Sequence, residues 1–305
     1  MEKPFRIGTR GSPLALAQAR MVAAALRAAH GWDELKIELV PITTTGDMIQ
    51  DRPLFELGGK ALWTKELDRA LLDGRTDISV HSMKDVETIR PAELEIVAML
   101  ARADVRDRLI GAASIAALPP GARIGTSSPR RAAQLLRRRP DLAIVPFRGN
   151  VATRLAKLER GDADATLLAG AGLDRLGQEQ VGTPIETDEL LPAPAQGAIG
   201  IEITAANAEA RRLVAPIGHF VTQLCIAAER RLLEGLGGTC RSPVAALACA
   251  EAELIRLKVE ILTPDGSEAK QAEILFPAGD EQAPADLAHR LLDQASPTLR
   301  ALFAR

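Results

Sequence analysis

Three cysteines in 305 residues, none in C-x-x-C spacing, leave no material for a disulfide framework or a structural zinc site. Four histidines (His30, His81, His219, His289) are too few for a histidine-rich metal centre, so no metal is expected. No apolar run approaches the ~20 residues that span a bilayer, and Met1 to Ile7 contains no apolar core of a secretory leader. A cytoplasmic protein without a membrane partner is the expectation. An excess of positive charge is also missing: the formal net charge is -2, which argues against a general nucleic-acid binder. Neither a G-x-x-x-x-G-K-S/T phosphate loop nor a G-x-G-x-x-G after a strand occurs, and no Ser-His-Asp or Cys-His nucleophile pattern is indicated.

What is present is an ordinary globular composition, 47% hydrophobic and 26% charged. The length fits two or three domains of about 100 residues each. Among the cations lysine is scarce: thirty of the thirty-eight are arginine. A base-composition bias accounts for most of that skew, but guanidinium groups also clamp carboxylates and phosphates bidentately, so their positions matter.

Strands and helices alternate along the first two thirds, the pattern of a mostly parallel sheet. Phe5 to Thr9 reads as a strand, Ser12-Pro13 as cap and first turn of a helix to about Ala29, and Lys36 to Pro41 as a second strand. A helix from Leu62 to Leu72 precedes the strand Asp77 to Val80. The design then repeats: strand Ala122 to Thr126, cap Ser128-Pro129, helix to Arg138, strand Ala143 to Phe147, helix to Glu159, strand Asp164 to Ala169. Gly8-Thr9-x-x-Ser12-Pro13 is echoed by Gly125-Thr126-x-Ser128-Pro129, and Gly74-x-x-Asp77 by Gly161-x-x-Asp164, which suggests two similar lobes. Beyond a proline-rich connector from Pro184 to Pro194, Ala198 to Ile203 reads as a strand returning to the first lobe's sheet. The last third changes to a helix from Phe220 to Leu236, an antiparallel meander (Val244 to Cys249, Leu254 to Leu262, Ala269 to Phe276) and one closing helix from Pro284 to Phe303.

Open α/β sheets bind ligands outside the carboxyl ends of their strands. His81-Ser82-Met83-Lys84-Asp85 lies at one such end, so Asp85 is a candidate site carboxylate, with a solvated turn as the plain alternative. Arg10, Arg130, Arg131 and Arg148 stand at or just after other strand ends, and Arg154 lies on the first turns of the next helix. Thr126, Ser127 and Ser128 precede a helix N-terminus, where free N–H groups and the helix dipole favour anions. Together these imply a polyanionic ligand. Cys225 and Cys249 read as packing residues. Cys240, between glycines and Arg241, has the backbone freedom and neighbouring cation that favour an accessible thiolate.

These motifs, with Thr9-Arg10-x-Ser12-Pro13-Leu14-Ala15-Leu16, Gly58-Gly59-Lys60, Arg148-Gly149-Asn150-Val151-x-Thr153-Arg154, Ala171-Gly172-Leu173-x-Arg175, Gln196-Gly197-Ala198 and Gly238-Thr239-Cys240, resemble the porphobilinogen deaminase family over nearly the whole chain. The resemblance implies an α/β protein of three domains: two periplasmic-binding-protein-like clamshell lobes and a smaller α/β domain with a three-stranded antiparallel sheet. The corresponding spans are 1–99 with 198–216, 103–192, and 218–305. It implies a transferase that joins porphobilinogen units, four in all, onto a dipyrromethane cofactor held by a thioether at Cys240. Each unit loses ammonia, and water releases the linear tetrapyrrole. Asp85 takes the catalytic position. Lys84, Ser82, Thr126, Ser127, Ser128, Arg130, Arg131, Arg148 and Gly149 fall at cofactor-binding positions. Arg10, Ser12, Arg154, Arg175, Gln196, Trp63 and Lys60 fall at substrate-binding ones. A monomer that hands its product to uroporphyrinogen-III synthase is the implied context.

The chemistry suits these residue types. Loss of ammonia from an aminomethylpyrrole leaves a delocalised cation that an ionised carboxylate stabilises. The acetate and propionate groups of a growing chain call for guanidinium groups, and a thiolate suits a carbon-sulfur tether. Five positions depart from the family pattern: Glu87 stands where proline is usual, Ala61 and Trp63 where Gly and Phe are common, Ala195 in place of a glycine, and Thr239 where many members have Gly. The competing expectations are a two-lobed small-anion binding protein without catalysis, which leaves Cys240 unexplained, and an inactive relative, which leaves Asp85 unexplained.

Overall fold

Ser12 and Ser128 each stand one residue before a proline, and in the computed structural model each caps a helix. Ser12 Oγ accepts from Ala15 N at the head of helix Pro13–His30, and Ser128 Oγ from Arg131 N at the head of helix Pro129–Arg138. The structure describes residues 3–44, 64–239 and 242–303. The loop from Thr45 to Gly59, the start of the helix expected at Leu62, and the departures Ala61 and Trp63 lie outside the described residues.

The strands in chain order are β1 (Phe5–Arg10), β2 (Ile37–Ile42), β3 (Ile78–Ser82), β4 (Leu94–Met99), β5 (Asp107–Ile110), β6 (Arg123–Gly125), β7 (Ala143–Val145), β8 (Ala165–Ala169), β9 (Thr183–Pro184), β10 (Ile199–Thr204), β11 (Val244–Glu251), β12 (Leu254–Leu262) and β13 (Ala269–Pro277). They form three sheets, ordered β2-β1-β3-β10-β4, β7-β6-β8-β5-β9 and β11-β12-β13. In the first, β1 runs parallel to β2 and β3 while β10 runs antiparallel to β3 and β4. In the second, β6 runs parallel to β7 and β8 while β5 runs antiparallel to β8 and β9. The two lobes therefore share one topology, with β10 and β5 in equivalent places. The echoed aspartates share one role as well. Asp77 receives Arg6 through N (2.7 Å), Nε (3.2 Å) and Nη2 (2.8 Å), and Asp164 receives Arg123 through the same three atoms at 2.7, 3.4 and 2.9 Å.

Each sheet has its own apolar cluster. Ile7, Val22, Leu26, Ile78, Val80, Ile201 and Ile203 fill the first, and Leu109, Ile124, Leu135, Leu142 and Leu167 the second. In the third, Ile255, Leu257, Val259 and Ile261 alternate along β12 and meet Leu232, Leu287 and Leu291 from the covering helices Phe220–Gly235 and Gln282–Gln294. Each fully buried Leu or Ile contributes roughly 1.5–3 kcal/mol by leaving water. Three cores support the mixed α/β architecture with a separate antiparallel sheet, and on them we base the three-domain division. The described chain forms two compact units, Met1–Ala103 with Ala198–Gln223, and Asp104–Gly197 with Leu224–Arg305. The second lobe and the third sheet thus share a unit, joined by Gln134 Nε2 to Glu260 (2.8 Å) and Ala246 N to Pro192 O (3.0 Å).

Three expectations are corrected. The closing helix is two, Gln282–Gln294 and Pro297–Ala301, because Pro297 holds the residue before it out of helical geometry and Ser296 caps a new start. Cys249 is exposed, since the outer end of β11 runs past the cover of the helices; Cys225 is buried as expected. The strand β4 and the shorter β5 and β9 have no counterpart in the sequence reading, and β5 opens on charged residues that are buried because they are paired.

Candidate functional site

At the carboxyl end of β3 the chain makes a tight turn, Met83–Asp85, closed by Val86 N to Met83 O (3.3 Å). Met83 is the turn's anchor. It is buried, its N–H reaches Ala198 O (3.1 Å), and it packs where Gly200 of β10 has no side chain, since a Cβ there would lie 2.0 Å from its sulfur. With Met83 and Val86 held inward, Lys84 and Asp85 are left half-buried at the sheet's edge. No hydrogen bond or ion pair to the Asp85 carboxylate occurs among the described residues. Ser82 Oγ is tied to the buried Gln18 of the first helix at 2.8 Å and 3.1 Å. Arg10 ends β1, and Ser12 opens the helix beside it.

Beneath this turn is a group of charges. Glu202 of β10 is fully buried, and its carboxylate takes His81 Nε2 at 2.9 Å and Arg90 Nε and Nη2 at 2.8 and 3.0 Å. Burial alone would raise the Glu202 carboxyl, but His81 and then Arg90 hold it down to about 2. Arg90 also reaches Asp68 (2.5 Å), Glu87 (2.9 Å) and Thr64 (3.3 Å). Burial pushes the Asp68 carboxyl above its ordinary value despite Arg90. Burial opposes the charge on Arg90, yet Glu202 and Asp68 raise its guanidinium above the usual value. Glu87 is thereby explained: where proline is usual, it receives Thr64 Oγ1 (3.0 Å) and Arg90, tying the segment after Asp85 to helix Lys65–Leu72.

The second lobe gives Arg130 and Arg131 an internal carboxylate. Asp107 of β5, wholly buried, takes Arg130 Nη2 (2.8 Å), Arg131 Nε (3.2 Å) and Nη2 (2.7 Å), and Gln196 Nε2 (2.9 Å). Arg130 also donates to Gln134 and Leu191 O, and Arg131 to Leu167 O. Burial would raise the Asp107 carboxyl; the charges of Arg131 and Arg130 hold it far below the carboxylate range. Two cations around one anion leave positive charge at the N-terminus of helix Pro129–Arg138. The hydroxyls there are in use: Thr126 Oγ1 accepts from Ser128 N (3.1 Å), Ser127 Oγ donates to Phe147 O (2.8 Å), and Ser128 caps the helix.

Other cations of this lobe keep donors in hand. The buried atoms Arg148 Nη1, Arg130 Nε and Arg175 Nε have no hydrogen-bond partner among the described residues. Arg175 spends Nη2 on Gly197 O (2.7 Å), and burial pulls its guanidinium below the ordinary value, against the effect of Asp174. Arg154 donates Nε to Gly149 O (3.0 Å), in the loop that follows Arg148. Buried guanidinium nitrogens in want of acceptors fit the carboxylates of a dipyrromethane. Cys240, Lys60 and Trp63 lie outside the described residues. On either side of the cysteine, Thr239 N donates to Ser242 Oγ (3.1 Å) and Ser242 N to Thr239 O (3.0 Å).

Sequence reasoning missed Asp107, Glu202, Arg90 and Gln18. Glu202 did carry a signal, a single acid inside an apolar strand, which a folded protein must pair. Ala195 has another: its φ of 62° explains why glycine is usual there.

Comparison with known proteins agrees with the motifs. The model described as "Porphobilinogen deaminase, dipyromethane cofactor binding domain" matches residues 5–212, and that of the C-terminal domain of porphobilinogen deaminase matches residues 223–294. The porphobilinogen deaminase of Sphingopyxis alaskensis is 57% identical over 309 residues, covering 99% of this chain and 98% of that protein. That of Paracoccus denitrificans is 52% identical over 275 residues, 89% and 88% of the two. Among solved structures, the second substrate binding domain of a putative amino acid ABC transporter from Streptococcus pneumoniae is 14% identical with a TM-score of 0.42, covering 70% of this chain and 91% of that one, a likeness that carries no argument.

Proposed function

The chain belongs to the porphobilinogen deaminase family, and on that premise we propose how its residues divide the work of the reaction. It is a hydroxymethylbilane synthase, a transferase of tetrapyrrole biosynthesis with a dipyrromethane cofactor. The observation that carries this is the identity of 57% along the full length, which leaves a non-catalytic small-anion receptor disfavoured.

In our reading Asp85 is the carboxylate at which porphobilinogen becomes a cation. Its half-buried place at the end of β3 lets it face a ring nitrogen and stabilise positive charge as the amine departs. It reaches the ionised state by giving any proton it carries to the amine before the C–N bond breaks. Lys84 binds a substrate carboxylate beside it, with Ser82, Arg10 and Ser12 at the same edge. Arg148, Arg175 and Arg154 take carboxylates directly, supported by the unpartnered nitrogens of the first two. Arg130 and Arg131, fixed by Asp107, act as a preset positive field with Thr126, Ser127, Ser128 and Gly149 around it, while Gln196 holds Asp107. Cys240 tethers the dipyrromethane, which when bound supplies the primer to which pyrrole units are added; Lys60 and Trp63 complete the substrate positions. A cytoplasmic monomer that passes its product to uroporphyrinogen-III synthase is the context we infer. No helix among the described residues is long and apolar enough to cross a membrane.

Incubating the purified protein with porphobilinogen tests the reading. Ammonia and hydroxymethylbilane should appear at one bilane per four substrates consumed. Binding of porphobilinogen with no ammonia released would favour the receptor instead.

A further inference from the structure

One carboxylate in the first lobe holds the chain on both sides of Asp85. His81, the penultimate residue of β3 before the Met83–Asp85 turn, donates Nε2 to Glu202 at 2.9 Å. Arg90, after the turn, donates Nε and Nη2 to the same side chain at 2.8 and 3.0 Å. We propose that Glu202 is a positioning residue for Asp85: by fastening the segments before and after the turn to a single point on β10, it fixes where the Asp85 carboxylate is presented. This rests on the reading of Asp85 as the carboxylate of the reaction.

Three features argue that the arrangement exceeds what folding requires. Glu202 is a fully buried acid in a strand whose other buried residues are apolar, so packing of the sheet alone does not call for a charge there. Its strand is already held to β3 and β4 by backbone pairing, so the side chain adds no register that the ladder lacks. The same strand also supplies the vacancy at Gly200 that seats Met83, so two successive contacts of β10, one polar and one apolar, converge on one turn of three residues. The charged groups facing Glu202 are His81 from β3 and Arg90 from the segment after the turn. Asp68 from helix Lys65–Leu72 and Glu87 are the further carboxylates on Arg90. All of these belong to the same compact unit, so the clasp moves with Asp85.

Positioning differs from structural support in what it changes. A displaced Asp85 still meets porphobilinogen in the ground state but stabilises its cation poorly, so kcat falls while KM holds. The test is steady-state kinetics of the purified holoenzyme carrying Glu202→Gln, with Arg90→Lys as a second variant that keeps the buried charge but loses the forked contact. For a carboxylate misplaced by about an ångström, kcat should fall about tenfold to a hundredfold. KM should stay within about threefold, and the acid limb of the kcat–pH profile should shift. Glu202→Asp should recover part of the loss. Folded variants with wild-type kcat and an unmoved acid limb, or with KM raised and kcat intact, would overturn the proposal. If Glu202→Gln does not fold, wild-type kinetics in Arg90→Lys would overturn it equally. A wild-type protein that releases no hydroxymethylbilane would instead sink the family reading of the site.

Discussion

In the first lobe the antiparallel strand beside the central one carries a buried glutamate, Glu202; in the second lobe the equivalent strand carries a buried aspartate, Asp107. Topology, strand order and even the Arg6–Asp77 and Arg123–Asp164 clamps match between lobes, but the charges gathered around these two acids are opposite in balance. Around Arg90 the first lobe collects Glu202, Asp68 and Glu87, so acid exceeds base beneath Asp85. Around Asp107 the second lobe collects Arg130 and Arg131, so base exceeds acid beneath the helix N-terminus. One fold, used twice, thereby gathers an excess of acid in one copy and of base in the other, which in the proposed reaction suits a cation at the first and anions at the second. That is the division a reaction on polyanionic pyrroles needs.

The largest expected effect comes from removing the second lobe's acid. Asp107→Ala leaves two buried guanidinium groups without their carboxylate and should cost about 3–5 kcal/mol in urea unfolding. A loss below about 1 kcal/mol, the range of an exposed pair, would mean the arginines have other anchors. Next is Asp85→Ala, expected to lower turnover about 10²–10³-fold with an unchanged melting temperature. Turnover near wild type would remove the first lobe's distinction. Arg148→Ala should slow chain growth with a smaller loss, read as accumulation of short covalent chains by intact-protein mass; an unchanged distribution would mean this arginine does not hold the chain.

Acid separates the lobes further. Glu202 has a folded pKa, about 2, below its unfolded one, so it contributes stability that is complete above the ordinary carboxylate range and lost as pH falls toward about 2. Glu202→Gln should flatten the stability curve in that window. An unaltered slope would show that the Glu202 carboxylate is not held down by His81 and Arg90. The smallest effect is expected at Ala195, which sits at φ 62° with its N–H on Glu229 (2.6 Å). Ala195→Gly relieves a left-handed backbone costing about 1–2 kcal/mol but gives back about 0.5–1 kcal/mol of chain entropy. Urea unfolding should show a gain of about half a kcal/mol, and a loss would place the strain elsewhere.

What could be read from the chain alone divides along the same line. The lobes' shared features are local and legible: Ser-Pro caps, alternating strands, the return of β10 to the first sheet and the meander all have short-range signals. So do Asp85 and the arginines at strand ends. The features that make the lobes differ are long-range. Asp107 meets partners more than twenty residues away, and Glu202 lies more than a hundred from both His81 and Arg90. No local pattern encodes such pairs. β5 stayed hidden for the same reason, because Asp107 and Arg108 look like a surface segment until their distant partners bury them.

In the proposed reaction the growing chain is anchored at Cys240, and the account stands most directly on that anchor. The measurement is the intact mass of purified, active protein followed by peptide mapping. A mass excess equal to two linked pyrrole units, confined to the peptide that contains Cys240, is the expected result. Protein that converts porphobilinogen while its mass is that of the bare chain would contradict the account.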